Sequence, residues 1–251
     1  MSEAAVLTEQ RGKVLLITLN RPDQMNAING DLSAGLVAAI EQLDTDPGLT
    51  AGVLTGNGRG FCSGMDLKAF LRGEDIGGFW SFVAEGAKKP LIGAIEGFAL
   101  AGGLELALSC DLLVAAKGAK LGIPEAGVGL FAAAGGLLRL PTRVGYGKAM
   151  EMAITADPIT ADEGFQYGLI SRLTEPGGAV EAALALAERV AKNAPLSVAA
   201  SKALVRAALG VTEAEFWELQ KPYQASVFTS NDSREGPKAF AEKRPPEWTG
   251  S

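Results

Sequence analysis

Apolar runs separated by polar turns predict alternating strands and helices over the first two thirds of the chain. The β-branched run Lys13–Asn20 stops at Arg21-Pro22 and predicts a strand. Asn29–Leu43 has apolar residues at helical spacing and predicts a helix. The same reasoning gives strands over Ala51–Thr55 and Pro90–Ile95, and helices over Gly78–Lys88 and Leu104–Cys110. Such alternation predicts an α/β fold with parallel strand pairing.

The pattern changes near residue 178, after which no strand is predicted. Successive helices are predicted over Val180–Lys192, Leu196–Leu209, Thr212–Phe228 and Glu235–Lys243. We therefore expect two parts: an α/β body over residues 1–190 and a helical C-terminal region over residues 191–251.

Composition narrows the class of protein. Of 251 residues, 47% are hydrophobic, which excludes general disorder. The net charge of −6 argues against a nucleic-acid partner. Residues 1–4 lack a basic start followed by an apolar core, and the uncharged stretch Ala126–Leu138 is too short to span a bilayer. The expectation is a cytoplasmic protein without membrane insertion.

The chain contains no histidine, which excludes histidine triads and histidine metal sites. Its two cysteines, Cys62 and Cys110, are too few for a disulfide framework or a zinc site, so no metal is expected. Chemistry must come from carboxylates, backbone dipoles or other side chains.

Two glycine-bearing turns, Phe61–Asp66 and Leu100–Glu105, are candidate sites for a negatively charged atom. Glycine lets a ligand approach the main chain, and N–H groups near a helix start attract negative charge. Two such donors aimed at one point would form an oxyanion hole. The alternative is that both are ordinary turns. The turn Gly56–Gly60 lacks the spacing of a nucleotide-binding loop.

Two carboxylates lie in the most apolar stretches. Glu105 is the only charged residue in Phe98–Cys110, and Glu125 is the only one in Leu121–Leu138. Burial raises the pKa of a carboxyl group, which suits proton transfer near neutral pH. Both could instead be structural acids that cap turns or meet an arginine such as Arg139. Asp66 is interpreted as a helix cap.

Several motifs, in order, resemble the crotonase (enoyl-CoA hydratase/isomerase) superfamily over nearly the whole chain. They are Asn20-Arg21-Pro22 with Asn26-Ala27, the loop Phe61–Leu67, the loop Gly97–Ala107, Pro124-Glu125 followed by Gly135-Gly136 and Arg139-Leu140, and the end Phe240–Arg244. The resemblance implies a spiral of ββα units. It also implies a helical C-terminal region that builds trimers, often paired into hexamers.

The resemblance further implies a site and a reaction on an acyl-CoA thioester. The backbone N–H groups of Met65 and Gly102 would polarise the thioester carbonyl. Glu105 would activate a water for attack at C3, and Glu125 would supply the proton to C2. Retention of both glutamates favours an enoyl-CoA hydratase, since isomerases and decarboxylases of the family commonly lack one acid.

Coenzyme A would enter as part of the substrate, so no separate cofactor is implied. By the resemblance, seven residues would contact it, the last two from a neighbouring subunit: Met25, Ala27, Ser63, Asp66, Leu67, Phe240 and Lys243.

One segment departs from the family pattern. The usual Pro-Gly-Ala-Gly-Gly-Thr-Gln-Arg-Leu reads here as Ala132–Leu140, with two leucines in place of polar residues. A changed acyl pocket is therefore expected after Glu125. The aromatic residues of Lys68–Gly86 could wall that pocket or belong to the core: Phe70, Phe79, Trp80 and Phe82.

Three alternatives stay open at this point. A Δ3-Δ2-enoyl-CoA isomerase would move a double bond with one glutamate. A non-catalytic acyl-CoA-binding homologue would keep the scaffold without turnover. A specialised hydratase or dehydratase would act on a branched, aromatic or carnitine-type thioester.

Overall fold

A computed structural model describes residues 4–251. Contacts between residues divide the chain into two compact units, of which the first ends at Ala187 and the second runs from Glu188 to Ser251. The division predicted from sequence lies after residue 190. The role of the second part in oligomerisation stays a prediction.

The described chain contains nine strands and eleven α-helices. The strands are β1 (Val6–Arg11), β2 (Val14–Leu19), β3 (Ala51–Gly56), β4 (Leu91–Ile95), β5 (Phe98–Leu100), β6 (Leu112–Ala116), β7 (Lys120–Gly122), β8 (Ile159–Thr160) and β9 (Arg172–Thr174). The helices are α1 (Gly30–Thr45), α2 (Leu67–Leu71), α3 (Gly77–Glu85), α4 (Gly102–Leu108), α5 (Gly136–Val144), α6 (Tyr146–Thr155), α7 (Ala161–Tyr167), α8 (Ala179–Ala191), α9 (Pro195–Ala207), α10 (Glu213–Thr229) and α11 (Asp232–Ala241). Two 3-10 turns span Pro22–Gln24 and Pro124–Val128.

The larger sheet has six strands in the order β1-β2-β3-β4-β6-β9. All neighbours are parallel except β1 and β2, which are antiparallel with Val6 opposite Leu19. β2, β3 and β4 are almost wholly apolar and buried, as expected for parallel strands covered on both faces. β1 was not predicted from sequence, because this exposed edge strand has no buried face to impose an apolar pattern.

A smaller sheet has the order β5-β7-β8. The sequence analysis assigned no strand to Phe98–Leu100, and this was wrong: these residues form β5, parallel to β7. A three-residue strand is too short to show a period in the sequence. Successive segments such as β4-β5-α4 place one strand in each sheet before a helix. This repeat confirms the predicted α/β spiral of ββα units.

Asn26 holds the loop that follows β2 against the loop that follows β3. Its buried side chain accepts a hydrogen bond from the Arg21 N–H at 2.8 Å. It donates to the carbonyl oxygens of Asn57 at 2.9 Å and Gly60 at 3.0 Å. Arg21 in turn donates to the Ala27 carbonyl oxygen. In the first of the family motifs, Asn26 therefore joins the two loops by hydrogen bonds.

In the second unit, the C-terminal segment returns to α11. Asp232 accepts hydrogen bonds from the N–H groups of Thr249 at 2.7 Å and Gly250 at 3.0 Å. Arg244 forms an ion pair with Glu235. No helix in the described part of the chain is long and apolar enough to cross a membrane.

Candidate active site

The first glycine loop presents the Met65 N–H on the side away from its neighbouring segment. Ile28 and Met65 form an isolated parallel bridge. The Ile28 N–H donates to the Gly64 carbonyl oxygen at 2.8 Å, and the Asp66 N–H donates to the Ile28 carbonyl oxygen at 2.9 Å. Ile28 thus bonds to the residues on either side of Met65, and the Met65 N–H faces the other way.

The second glycine loop presents the Gly102 N–H at the start of α4. Ala101 has φ 52° and ψ −133°, a backbone conformation that residues other than glycine rarely adopt. Gly102 is the first residue of α4, where an N–H has no carbonyl four residues earlier to bond. None of the described groups accepts a hydrogen bond from the Gly102 N–H.

The two loops lie against each other because both have glycine at the contact. Cys62 bridges Ala99 in parallel. A Cβ atom at Gly64, whose φ is +99°, would lie 3.2 Å from the Gly102 nitrogen, and a Cβ at Gly103 would overlap the Cys62 carbonyl oxygen. The first loop therefore meets the beginning of α4 at Gly102 and through Gly64, the residue before Met65.

Glu105 is buried on α4, and one of its carboxylate oxygens is firmly held. Glu105 is only 3% exposed. Oε1 accepts hydrogen bonds from the Ala134 N–H at 2.7 Å and the Gly136 N–H at 2.9 Å. Burial raises the pKa of Glu105, while these two N–H groups and the charge of Arg139 oppose the rise. The alternative that Glu105 caps a turn is therefore partly correct, because Glu105 accepts hydrogen bonds from the turn before α5.

Glu125 lies in a very different environment, in the 3-10 turn after β7. Its Oε2 is buried and has no hydrogen-bond partner, the only such side-chain atom among the described residues. The pKa of Glu125 is raised to about 7, because burial and the charge of Glu105 raise it more than a bond from its own backbone lowers it. A structural acid would have a partner, so its position favours proton transfer.

Glu105 lies near enough to Glu125 for its charge to raise the pKa of Glu125. Glu105 receives two N–H donors, which stabilise a charged carboxylate, whereas Glu125 receives none from outside its own residue. Two neighbouring acids in unequal environments are suited to sharing a proton, one as base and the other as acid.

The residues of the first loops that were predicted to contact coenzyme A lie close together. The Ser63 N–H donates to the Met25 carbonyl oxygen at 3.1 Å. The side chains of Met25 and Leu67 are exposed, whereas Ala27 is buried. Phe240 and Lys243 belong to the second unit, on α11 and just after it. Contact of these residues with coenzyme A stays a prediction.

Asp66 caps α2, as predicted from the sequence. Its Oδ1 accepts hydrogen bonds from the N–H groups of Lys68 at 3.1 Å and Ala69 at 3.2 Å. Its Oδ2 forms an ion pair with Arg21 at 3.2 Å, which the sequence analysis did not predict. Partial burial would raise the pKa of Asp66, but the Ala69 N–H and Arg21 together hold it below its ordinary value.

The aromatic residues before β4 divide between core and surface. Phe79 and Phe82 are buried, whereas Phe70 and Trp80 are exposed. The Phe79 ring also lies 3.6 Å from the position of a Cβ at Gly102. Phe79 thus belongs to the core and also borders the Gly102 end of the site. Periodicity in the sequence could not distinguish these two roles.

The segment that departs from the family pattern borders an apolar cavity of 410 Å³. Ala132 and Leu137 line it together with Ile123 and Ala126, which flank the Glu125 turn. Leu138, the second leucine of the departure, is 75% exposed. The departure therefore adds one leucine to the wall of this cavity and one to the exposed surface.

Comparison with known proteins identifies the family to which the chain belongs. A sequence model described as Enoyl-CoA hydratase/isomerase matches residues 9–251. The chain belongs to the enoyl-CoA hydratase/isomerase family. It is 39% identical over 99% of both chains to a protein of Rhizobium meliloti (strain 1021) named "Probable enoyl-CoA hydratase".

Other members of the enoyl-CoA hydratase/isomerase family are similarly close. A crystal structure of an enoyl-CoA hydratase from Mycobacterium tuberculosis H37Rv matches with a TM-score of 0.96 and 49% identity, covering 99% of this chain and 100% of that one. A carnitinyl-CoA dehydratase of Proteus mirabilis (strain HI4320) is 38% identical over 100% of both chains. The predicted family is confirmed.

Glu125 should make stability depend on pH. Folding raises its pKa from 4.5 to about 7, so the stability linked to this group is lost as the pH rises from 4.5 through 7. Glu125→Gln does not titrate and should be more stable than the wild type at pH 8, with a smaller difference at pH 5. Denaturant unfolding at both pH values measures this.

The control is Glu85→Gln, at an exposed glutamate at the end of α3. The difference in the free energy of unfolding between Glu85→Gln and the wild type should be the same at pH 5 and pH 8. A Glu125→Gln effect that is equal at the two pH values would contradict the assignment of a raised pKa to Glu125.

Proposed function

We propose that this chain is an enoyl-CoA hydratase, which adds water reversibly to trans-2-enoyl-CoA and gives 3-hydroxyacyl-CoA. The observation that carries the proposal is the pair Glu105 and Glu125. In this member of the family, Glu105 is buried and has two amide donors, and the partly buried Glu125 has a buried Oε2 atom with no partner among the described residues. A reaction that uses one base would not need the second acid in so costly a place.

In the proposed mechanism the thioester carbonyl accepts hydrogen bonds from the Met65 and Gly102 N–H groups. These donors stabilise the negative charge that develops on the oxygen when water adds at C3. They belong to the backbone, so the Met65 side chain has no direct part. The reaction needs no cofactor of its own, because coenzyme A arrives as part of the substrate.

The two carboxyl groups divide the proton transfers. Ionised Glu105 takes a proton from water as the water oxygen bonds to C3, and protonated Glu125 gives its proton to C2. One H and one OH are thus added, and a proton passes between the carboxyl groups to restore the starting state. The amide donors on Glu105 and the pKa of about 7 at Glu125 support this assignment.

The reaction is tested by following the loss of enoyl-thioester absorbance with a chain-length series of trans-2-enoyl-CoA. We expect hydration by the wild type, with 3-hydroxyacyl-CoA as product, and a fall in kcat of about 10²–10⁴-fold in Glu125→Gln. Glu85→Gln should retain full activity.

Other outcomes identify the alternatives. Conversion of a 3-enoyl-CoA without a hydroxylated product would indicate an isomerase. Turnover of a carnitine-type thioester alone would indicate a specialised dehydratase. Saturable acyl-CoA binding with no turnover of any thioester would leave a non-catalytic homologue and contradict the proposal.

The donor role of Gly102 can be tested by removing its N–H. Proline is tolerated at the first position of a helix, so Gly102→Pro should fold, as circular dichroism would show. We expect kcat to fall about 10²–10³-fold, because one donor to the developing oxyanion is lost.

Gly102→Ala is the matched control. It keeps the N–H, and its Cβ would lie 3.5 Å from Ile28 and 3.6 Å from Phe79, which are ordinary contact distances. It should retain most of the activity. An equal loss in the alanine and proline variants would show that added volume is responsible and would contradict the donor role.

We also propose that the second unit assembles copies into a trimer, alone or paired as a hexamer. α10 has no buried residue, although it carries Trp217 and Phe228, both exposed. An apolar face of this kind is usually covered by a partner. A neighbouring copy would then bring Phe240 and Lys243 to the coenzyme A of this one.

Light scattering on the full chain tests the assembly. We expect the mass of a trimer or hexamer of the 25.9 kDa chain, and a lower mass for Phe228→Asp. Glu218→Gln, at an exposed residue of the same helix, should leave the mass unchanged. A wild-type mass of one chain would contradict the assembly.

A further inference from the structure

Arg139 joins two backbone segments beside the carboxylate pair. It lies on α5 and is partly buried. Its Nη1 donates to the Ala134 carbonyl oxygen at 3.3 Å, and its Nη2 donates to the Val83 carbonyl oxygen on α3. One guanidinium group therefore ties the turn before α5 to the end of α3.

The turn held by Arg139 is the one that holds Glu105. The N–H groups of Ala134 and Gly136 both donate to Glu105 Oε1. Between them, Gly135 has φ +95°, and a Cβ there would overlap Arg139 Nη1. The guanidinium, the turn and the carboxylate therefore form a continuous series of contacts.

Arg139 also provides the positive charge that faces Glu105. Arg139 on α5 lowers the pKa of Glu105, and Glu125 on the 3-10 turn lies near enough for Glu105 to raise its pKa. Glu125 has the same sign as Glu105 and cannot stabilise it as an anion. A guanidinium group remains charged at any pH at which a protein is folded.

We propose that Arg139 is a positioning residue for hydration: its guanidinium fixes the Ala134–Gly136 turn and its charge keeps Glu105 ionised as the base. The inference rests on the proposed function, since it assigns Arg139 a part in that reaction. Arg139 acts through Glu105 and the turn and does not touch the substrate.

The first test is the pH dependence of kcat/KM in Arg139→Gln. This variant keeps hydrogen-bond donors but loses the charge, so Glu105 becomes harder to ionise. We expect the acid limb of the profile to move to higher pH, and kcat to fall about ten- to hundredfold with little change in KM.

Arg139→Lys separates charge from geometry. Lysine keeps the positive charge but lacks the planar fork that reaches both carbonyl oxygens. Its acid limb should stay near the wild-type position while kcat falls. This variant also keeps the inference testable if Arg139→Gln folds poorly.

Arg143→Gln is the matched control on the same helix. Arg143 also joins backbone carbonyls, with Nη2 donating to Leu108 at 3.2 Å and Cys110 at 3.1 Å, but neither carbonyl belongs to the Ala134–Gly136 turn that holds Glu105. Its acid limb should not move. If Arg139→Gln behaves like Arg143→Gln, or moves only the basic limb, the inference is overturned.

A second readout does not need turnover. Glutamate labelled with ¹³C at the carboxyl carbon reports the titration of Glu105 by NMR, with Glu105→Gln assigning the signal. We expect Glu105 to titrate at higher pH in Arg139→Gln than in the wild type or Arg139→Lys. An unchanged titration overturns the inference, even for an active enzyme. A shifted titration in a chain without hydratase activity would instead sink only the proposed function.

Discussion

The candidate site depends on the close approach of two loops that only glycine permits. Gly103 leaves room for the Cys62 carbonyl oxygen, and Gly64 leaves room for the start of α4. The paired residues Cys62 and Ala99 set the register between the loops. Because of this contact, the N–H groups of Met65 and Gly102, which are distant in sequence, are placed near each other without a partner among the described residues. The same contact fixes α4, and with it the position of Glu105.

The second constraint is the difference between the environments of the two acids, Glu105 and Glu125. Burying a carboxyl group costs free energy unless it is hydrogen bonded. Glu105 is stabilised by two N–H groups and a nearby guanidinium group, whereas the Oε2 atom of Glu125 has no partner. The fold thus retains one acid whose charge is partly stabilised against burial and one whose charge is not. This difference is what proton transfer through the pair requires, and it explains why an unfavourable group is kept in place.

Much of this could be predicted from sequence, because strong patterns reflect strong constraints. The buried strands, the spiral fold and the family follow from apolar runs and ordered motifs, and Asp66 was recognised as a cap from its place after a glycine turn. Glu105 and Glu125 stood out as single charges in apolar stretches. The exposed strand β1 and the three-residue strand β5 were missed, because neither has a buried face long enough to show a period.

Partners of side chains were the part that sequence could not supply. Nothing in the sequence pattern indicated that the N–H groups of Ala134 and Gly136 would donate hydrogen bonds to Glu105 and not to Glu125. That choice depends on how the turn before α5 lies against α4. The contact of Arg139 with Val83 joins residues 56 positions apart, and the ion pair of Arg21 with Asp66 joins residues 45 positions apart. The sequence left open whether Phe79 belongs to the core or lines a pocket. In the structure it is buried and also borders Gly102.

The most direct test of the account is a crystal structure of Glu125→Gln with a trans-2-enoyl-CoA bound. The account predicts that the thioester oxygen lies within hydrogen-bond distance of the Met65 and Gly102 nitrogens, with C2 and C3 facing residues 105 and 125. A thioester bound elsewhere, or one whose oxygen contacts neither nitrogen, would contradict it.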